Sequence, residues 1–273
     1  MDDITVHEPL TENTEMQELD DEKDTRIIDK VSEILIERNM LWQYDDVIER
    51  EVKRYLKENK YPTERLFEIA TERQEESKYW TLLAFLNVRG LGTHTDDEKA
   101  FYWYHKAASE INDRLGLQET GVFYSHGKGV KYDLVEANYW FKKAADCNMG
   151  IAQHRLAQNY FRGNGIEVDN AEGLKWLLKS ADVGFAEAMD LLTDLYLVGD
   201  YTKKDDRIAL FWAKRSYYEL GSRIGLANLM TCYQKGYGTC MDVHKAIFLA
   251  VHAKRNGHDV YLRKLSKLFH NYF

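Results

Sequence analysis

A pair of glycines with one residue between them recurs along this chain at a near-constant interval, and that period limits the fold more than any other feature. Gly-x-Gly stands at Gly90/Gly92, Gly127/Gly129, Gly163/Gly165 and Gly236/Gly238, and a further copy keeps Gly199 but has Tyr201 in the second place. Successive first glycines are 37, 36, 36 and 37 residues apart. A single glycine pair ahead of a helix could cradle a phosphate, because backbone N–H groups converge where no side chain intrudes. Here the pair recurs, no strand precedes it and no Gly-Lys-Ser/Thr follows it, so it reads as a turn and no nucleotide site is expected.

Other columns repeat in register with the turn. Six residues after each first glycine stands Asp96, Asp133, Asp169, Asp205 or Asp242. An aspartate there is placed to cap a helix by accepting from unpaired N–H groups, and Asp133 with Glu136 and Asp169 with Glu172 have capping-box spacing. Ten residues after the glycine comes Ala100, Ala137, Gly173, Ala209 or Ala246; at thirteen, Trp103, Trp140, Trp176, Trp212 or Leu249; at seventeen, Ala107, Ala144, Ser180, Ser216 or Ala253. Offsets of three, four and seven share one helical face, which predicts a core stripe and assigns these tryptophans to packing. Lys106, Lys143, Lys179 and Arg215 fall near the end of each such helix, where the dipole favours a cation. Before each glycine a further helix is predicted, with Gly116, Ala152, Ala188 and Gly225 as close-contact positions. Leu156, Leu192 and Leu229, and Tyr124, Tyr160, Tyr196 and Tyr233, fill out the same face.

Two antiparallel helices of this length cannot bury their apolar face alone, so neighbours must stack. The expected fold is all-α: a right-handed α–α superhelical solenoid of five two-helix repeats at 77–110, 111–147, 148–184, 185–221 and 222–257. An N-terminal helical cap at 26–76 precedes them, and a capping helix at 258–273 ends the chain. Residues 1–25 hold ten acidic residues and one lysine and read as a disordered acidic tail. Residues 243–273 carry six Lys or Arg and one acid, so the two ends have opposite charge.

The pattern small-x3-Leu-small-x2-Tyr-x2-Gly-x-Gly, followed by Asp, Ala, aromatic and Lys-Ala-Ala, resembles the Sel-one-like repeat, a relative of the tetratricopeptide repeat. The resemblance covers about residues 77 to 257. Copy one departs at Asn87, copy two at Thr120, copy four at Tyr201 and copy five at Leu249 and Lys254. The lead-in from IIDKVSEILIER to ESKYW is similar to the segment preceding such arrays in some fungal members, whose arrays are attached to or encoded beside protein kinases. The chain itself has no H-R-D, D-F-G or glycine-rich kinase loop. The resemblance implies a non-catalytic adaptor that binds proteins or peptides, a protein kinase among the implied partners. A hydrolase or metal-dependent enzyme on the same scaffold, and a self-assembling scaffold, are the alternative readings.

In arrays of this kind the first helix of each pair lines a groove. Carried onto this chain, the lining positions are Thr81, Phe85 and Arg89; Gln118, Val122 and His126; and His154, Gln158, Phe161 and Arg162. Asp190, Asp194, Thr231, Gln234 and Lys235 complete them. His154, Asp190 and Asp194 are also the residues that could converge on a metal, although scattered polar residues on a solvated face are the commoner case.

A formal charge of −8 disfavours nucleic acid, no stretch has the length and apolarity of a membrane span, and no cofactor motif is present. Three cysteines, Cys147, Cys232 and Cys240, fit a reducing compartment, the cytoplasm or nucleus, better than a disulfide framework. Thiol counting on denatured protein without reductant should find all three free; a count of one would contradict this.

Overall fold

A computed structural model describes residues 12–40 and 45–255 of the chain, and it divides them between two compact units, residues 1–132 and 133–273. The predicted capping helix at 258–273 lies outside the described residues.

In the first unit, α1 (Glu12–Met40), α2 (Asp45–Glu58) and α3 (Thr63–Glu72) form the cap. After a 3-10 turn at Ser77–Tyr79 come α4 (Trp80–Arg89), α5 (Asp97–Glu110) and α6 (Arg114–His126). Helix α1 starts well before the predicted boundary at residue 26, and part of the acidic segment has a packing role. Asp24 is buried, accepts from the Tyr61 hydroxyl, and pairs with Arg65 at 2.8 Å. Asp29 accepts from the Tyr79 hydroxyl at 2.9 Å and from Lys78 at 3.1 Å. These bonds lay Ile27, Ile28, Val31, Ile34 and Leu35 of α1 against one core with Leu82, Leu83, Phe85 and Leu86 of α4.

The second unit holds three helix pairs and a leading helix. They are α7 (Leu134–Asp146), α8 (Gly150–Arg162), α9 (Asn170–Asp182), α10 (Ala186–Val198), α11 (Asp206–Leu220), α12 (Arg223–Lys235) and α13 (Val243–Arg255). Each helix packs on its chain neighbour, and α10 also packs on α12. Trp140, Trp176 and Trp212 are buried, while Trp103 of the first unit is half-buried.

The turn glycines have two separate jobs. The first ends its helix in the left-handed region, as at Gly127 with φ 66°. The second lies flush against the start of the preceding second helix. A Cβ on Gly129 would stand 2.1 Å from the Asp97 carbonyl oxygen, and one on Gly165 would stand 2.5 Å from the Leu134 carbonyl carbon. Gly92 meets Thr63, and Gly238 meets Asp206, in the same way. Because Gly92 abuts Thr63, α3 occupies the place that a preceding repeat's second helix would take.

The aspartates sit at the helix starts: Asp96, Asp133, Asp169, Asp205 and Asp242 accept from the backbone N–H groups of Lys99, Glu136, Glu172, Ile208 and Lys245. The reciprocal half of the capping box does not form at Asp169. Its own N–H donates to the Tyr160 carbonyl at 3.1 Å, and Glu172 pairs instead with Lys175 at 3.0 Å. The cap residue is thereby bonded to the end of the first helix, which leaves its N–H nothing to offer a glutamate.

The difference between 37- and 36-residue spacings has a local cause. Where the spacing is 37, a polar residue caps the next first helix, Asp113 to Gly116 N–H and Ser222 to Gly225 N–H. Where it is 36, the cap position is the buried Met149 or Phe185, with no side-chain bond.

Gly165→Ala should lose the left-handed conformer preference, about 1 kcal/mol, and also push the turn off α7. Gly184→Ala, which has φ +90° but nothing within 4 Å of its added Cβ, should lose only the former. Urea denaturation is expected to place the first variant at least ~2 kcal/mol below the second; equal losses would refute the close contact.

Candidate functional site

The outward faces of the first helices were the expected groove, and the two units differ in how much of that face remains open. In the first unit α4 is buried on every side from Trp80 to Asn87. Thr81 and Phe85 are therefore core residues and not groove lining, because α1 and α3 cover the face that they occupy. Arg89 is drawn to the cap as well, 3.7 Å from Glu49 and over the Phe85 ring. On α6, Gln118 is 4% exposed, its amide donating to Glu119 at 3.0 Å while its carbonyl oxygen is buried with no partner. Val122 is half-buried, and His126 is exposed with Nδ1 2.9 Å from the Val122 carbonyl oxygen. Of the six expected positions in this unit, His126 is exposed, Val122 is half-buried, Arg89 is half-buried against the cap, and the other three are buried.

In the second unit, α8, α10 and α12 present most of the remaining positions. His154 sits against the Phe185 ring, centroids 5.3 Å apart, and its Nε2 lies 3.4 Å from the Gln158 amide nitrogen. Burial first, and the guanidinium charges of Arg155 and Arg162 second, push its pKa down to about 4, so the ring is neutral near pH 7. Gln158 is half-buried and Arg162 exposed. Phe161 is 7% exposed: it lies over Gly173, where a Cβ would come within 2.7 Å of the ring, and it stacks on Tyr201 at 4.5 Å and 12°. Phe161 is thus a packing residue.

Asp190 is also removed from the groove. It is 4% exposed, accepting from Ser216 at 2.5 Å and from Ser222 at 2.7 Å, and so ties α10 to α11 and to the cap of α12. Burial raises its pKa even though both hydroxyls favour the charged form. Asp194 accepts from Asn228 of α12 at 3.3 Å. Thr231 donates to the Ala227 carbonyl at 2.8 Å, Gln234 is half-buried and Lys235 is exposed. His154, Asp190 and Asp194 do not form a metal site: among the described residues no three His, Cys, Asp or Glu side chains come together in that way.

Two features escaped the column reading. The Asp190–Ser216–Ser222 tie joins residues 26 and 32 apart, and no period flags it. The cation column does more than face a helix dipole, for Lys179 lies 4.0 Å from the Trp176 ring centroid, Lys143 4.9 Å from Trp140 and Lys106 5.4 Å from Trp103. That i,i+3 Trp–Lys spacing was visible and names a cation–π contact. Cys232 is buried and Cys147 and Cys240 exposed, all free, with burial raising the Cys232 thiol to about 11.

The Sel1 repeat family matches residues 81–111, 114–149, 150–185 and 186–219, just over half of the chain. The chain belongs to the Sel1 repeat family. Its fold is the all-helical solenoid of Sel1 repeats, and Sel1 repeat proteins are generally protein-interaction scaffolds, typically non-catalytic. The α12–α13 pair, outside the four matched segments, keeps the turn and cap geometry of the others. A Sel1 repeat protein from Oxalobacter formigenes has 26% identity and a TM-score of 0.66, over 76% of this chain and 85% of that one. The protein c5321, a protective antigen present in uropathogenic Escherichia coli strains and displaying an SLR fold, has 25% identity and a TM-score of 0.52 over 70% of this chain; the chain spans about half, 49%, of its length. No curated protein matches the chain. Among the described residues no helix is long and apolar enough to cross a membrane.

Asp190→Ala should destabilise the second unit by roughly 2–4 kcal/mol, since two inward hydroxyls lose their acceptor. The His154 contribution has the opposite pH sense to a salt-bridged histidine. Its folded pKa lies below the ordinary 6.5, so its stabilising share is complete above pH 6.5 and is lost as pH falls toward about 4. His154→Phe should therefore flatten the fall in melting temperature between pH 7 and pH 4.5; an unchanged fall would contradict the burial assigned to it.

Proposed function

We propose that this Sel1 repeat protein is a non-catalytic adaptor that holds partner segments along the first helices, chiefly α8, α10 and α12. One observation carries the reading. Arg162 and Lys235 occupy the same repeat position, the last residue before the turn glycine, and are exposed at the ends of α8 and α12; Gln158 and Gln234 are half-buried on the same two helices, and none of the four belongs to the buried columns that hold the pairs together. Polar side chains outside the core columns, presented at matching ends of α8 and α12, suit an extended peptide. Val122 and His126 extend the same reading to α6.

The finer version is a kinase-linked signalling complex in the cytoplasm or nucleus. It draws on the likeness of the 26–76 lead-in to segments preceding kinase-associated arrays, and on three cysteines that form no disulfide among the described residues. No cofactor, nucleotide or nucleic acid enters the proposed activity.

Affinity purification of the wild-type chain, compared with a Gln158→Ala/Arg162→Ala/Gln234→Ala variant, tests the adaptor reading. The proposal expects bound proteins to be lost from the variant and retained by Phe211→Ser, a change on an outer helix where the ring is 51% exposed. A partner set indifferent to the triple variant would remove the groove, and recovery of a kinase among the lost proteins would support the signalling version.

A further inference from the structure

The charges along α8, α10 and α12 are not equally engaged. Of the carboxylates, Asp190 is held by two serine hydroxyls, Asp194 accepts from Asn228, and Glu187 has partners of its own. Of the cations, Arg162 and Lys235 are exposed and make no ion pair or hydrogen bond with the described residues. Arg155 lies with its guanidinium over the Phe141 ring, 6.0 Å away, and its buried Nε has no acceptor. In a chain of net −8, these three helices carry four cations, Arg155, Arg162, Arg223 and Lys235, against three carboxylates, Glu187, Asp190 and Asp194.

The two free cations also have a defined separation. They end α8 and α12, two first-helix steps apart, with α10 between them packed directly on α12 and reached from α8 through His154 and Phe185. At 8–10 Å between helix axes the two steps span about 16–20 Å. An extended chain at about 3.3 Å per residue crosses that distance in roughly five or six residues.

We infer that the partner of this face is an extended acidic segment of another protein, with two carboxylate side chains about five or six residues apart, one over Arg162 and one over Lys235. The inference rests on the groove reading above and names its ligand class. Between the two contacts Gln158 and Gln234 offer amides to the ligand backbone, and the neutral His154 ring adds no competing charge. Each Arg or Lys contact is solvent-exposed and therefore screened by salt, so binding through the two contacts should weaken as salt rises.

Panning a phage library of random dodecapeptides on the full chain, then measuring selected peptides by fluorescence anisotropy, tests the inference. Selected sequences should be enriched in Asp or Glu pairs at that spacing. Arg162→Glu and Lys235→Glu should each lower affinity at least about fivefold, with Phe211→Ser unchanged and the helical circular dichroism of all variants equal to wild type. Peptides that depend on Gln158→Ala/Gln234→Ala but show no acidic enrichment, or that ignore both charge reversals, would overturn the inference and leave the groove reading intact. Peptides indifferent to the two glutamine changes would overturn the groove reading and the inference with it, as would a library that yields no enrichment.

Discussion

Everything in this fold depends on backbone meeting backbone at the second glycine of each turn. Two helices of a repeat bury only one face, and the neighbouring repeat can approach closely only where no Cβ intervenes. At Gly92, Gly129, Gly165 and Gly238 the gap to the preceding helix is too small for any side chain. Tyr201 is the exception, a non-glycine residue at φ 59° whose Cβ denies the fourth turn that contact. Its ring stacks on Phe161, and Phe161 in turn needs Gly173 beneath it. Phe161, Gly173 and Tyr201 together form one aromatic solution to a single lost glycine.

What packing consumes decides what is left for binding. Buried alanines, leucines and tryptophans hold the pairs together, and lysines over the tryptophan rings satisfy charge without leaving the helix that carries them. Polar side chains are recruited too: Asp190 links three helices, and Asp24 and Asp29 fix the long first helix to the cap. Exposed Arg162 and Lys235 and half-buried Gln158 and Gln234 lie outside these ties in the second unit, and they are the basis of the proposed adaptor role.

The repeat was legible because its evidence is redundant: each turn, cap and core column recurs, and even the change from 37 to 36 residues reports which kind of residue starts the next helix. Which of the expected groove positions stay exposed was legible only in part, because burial at a flanking position is set by side chains from elsewhere in the chain. Phe85 is covered by a cap helix some fifty residues upstream, Phe161 by Tyr201, and Asp190 by two serines of the next pair. A period shows which face a residue occupies but not what lies opposite. The packing role of Asp24 was missed for a related reason, since it looks solvated until Tyr61 and Arg65 are placed beside it.

The central structural claim is that repeats are held at their turns, and that an aromatic stack takes over where the glycine is missing. A double-mutant cycle between Phe161→Leu and Tyr201→Asn measures this directly, asparagine being chosen because it tolerates the left-handed region. Stacking on the scale of the observed geometry predicts a coupling of about 0.5–1.5 kcal/mol in urea denaturation. Strict additivity of the two substitutions would contradict the account.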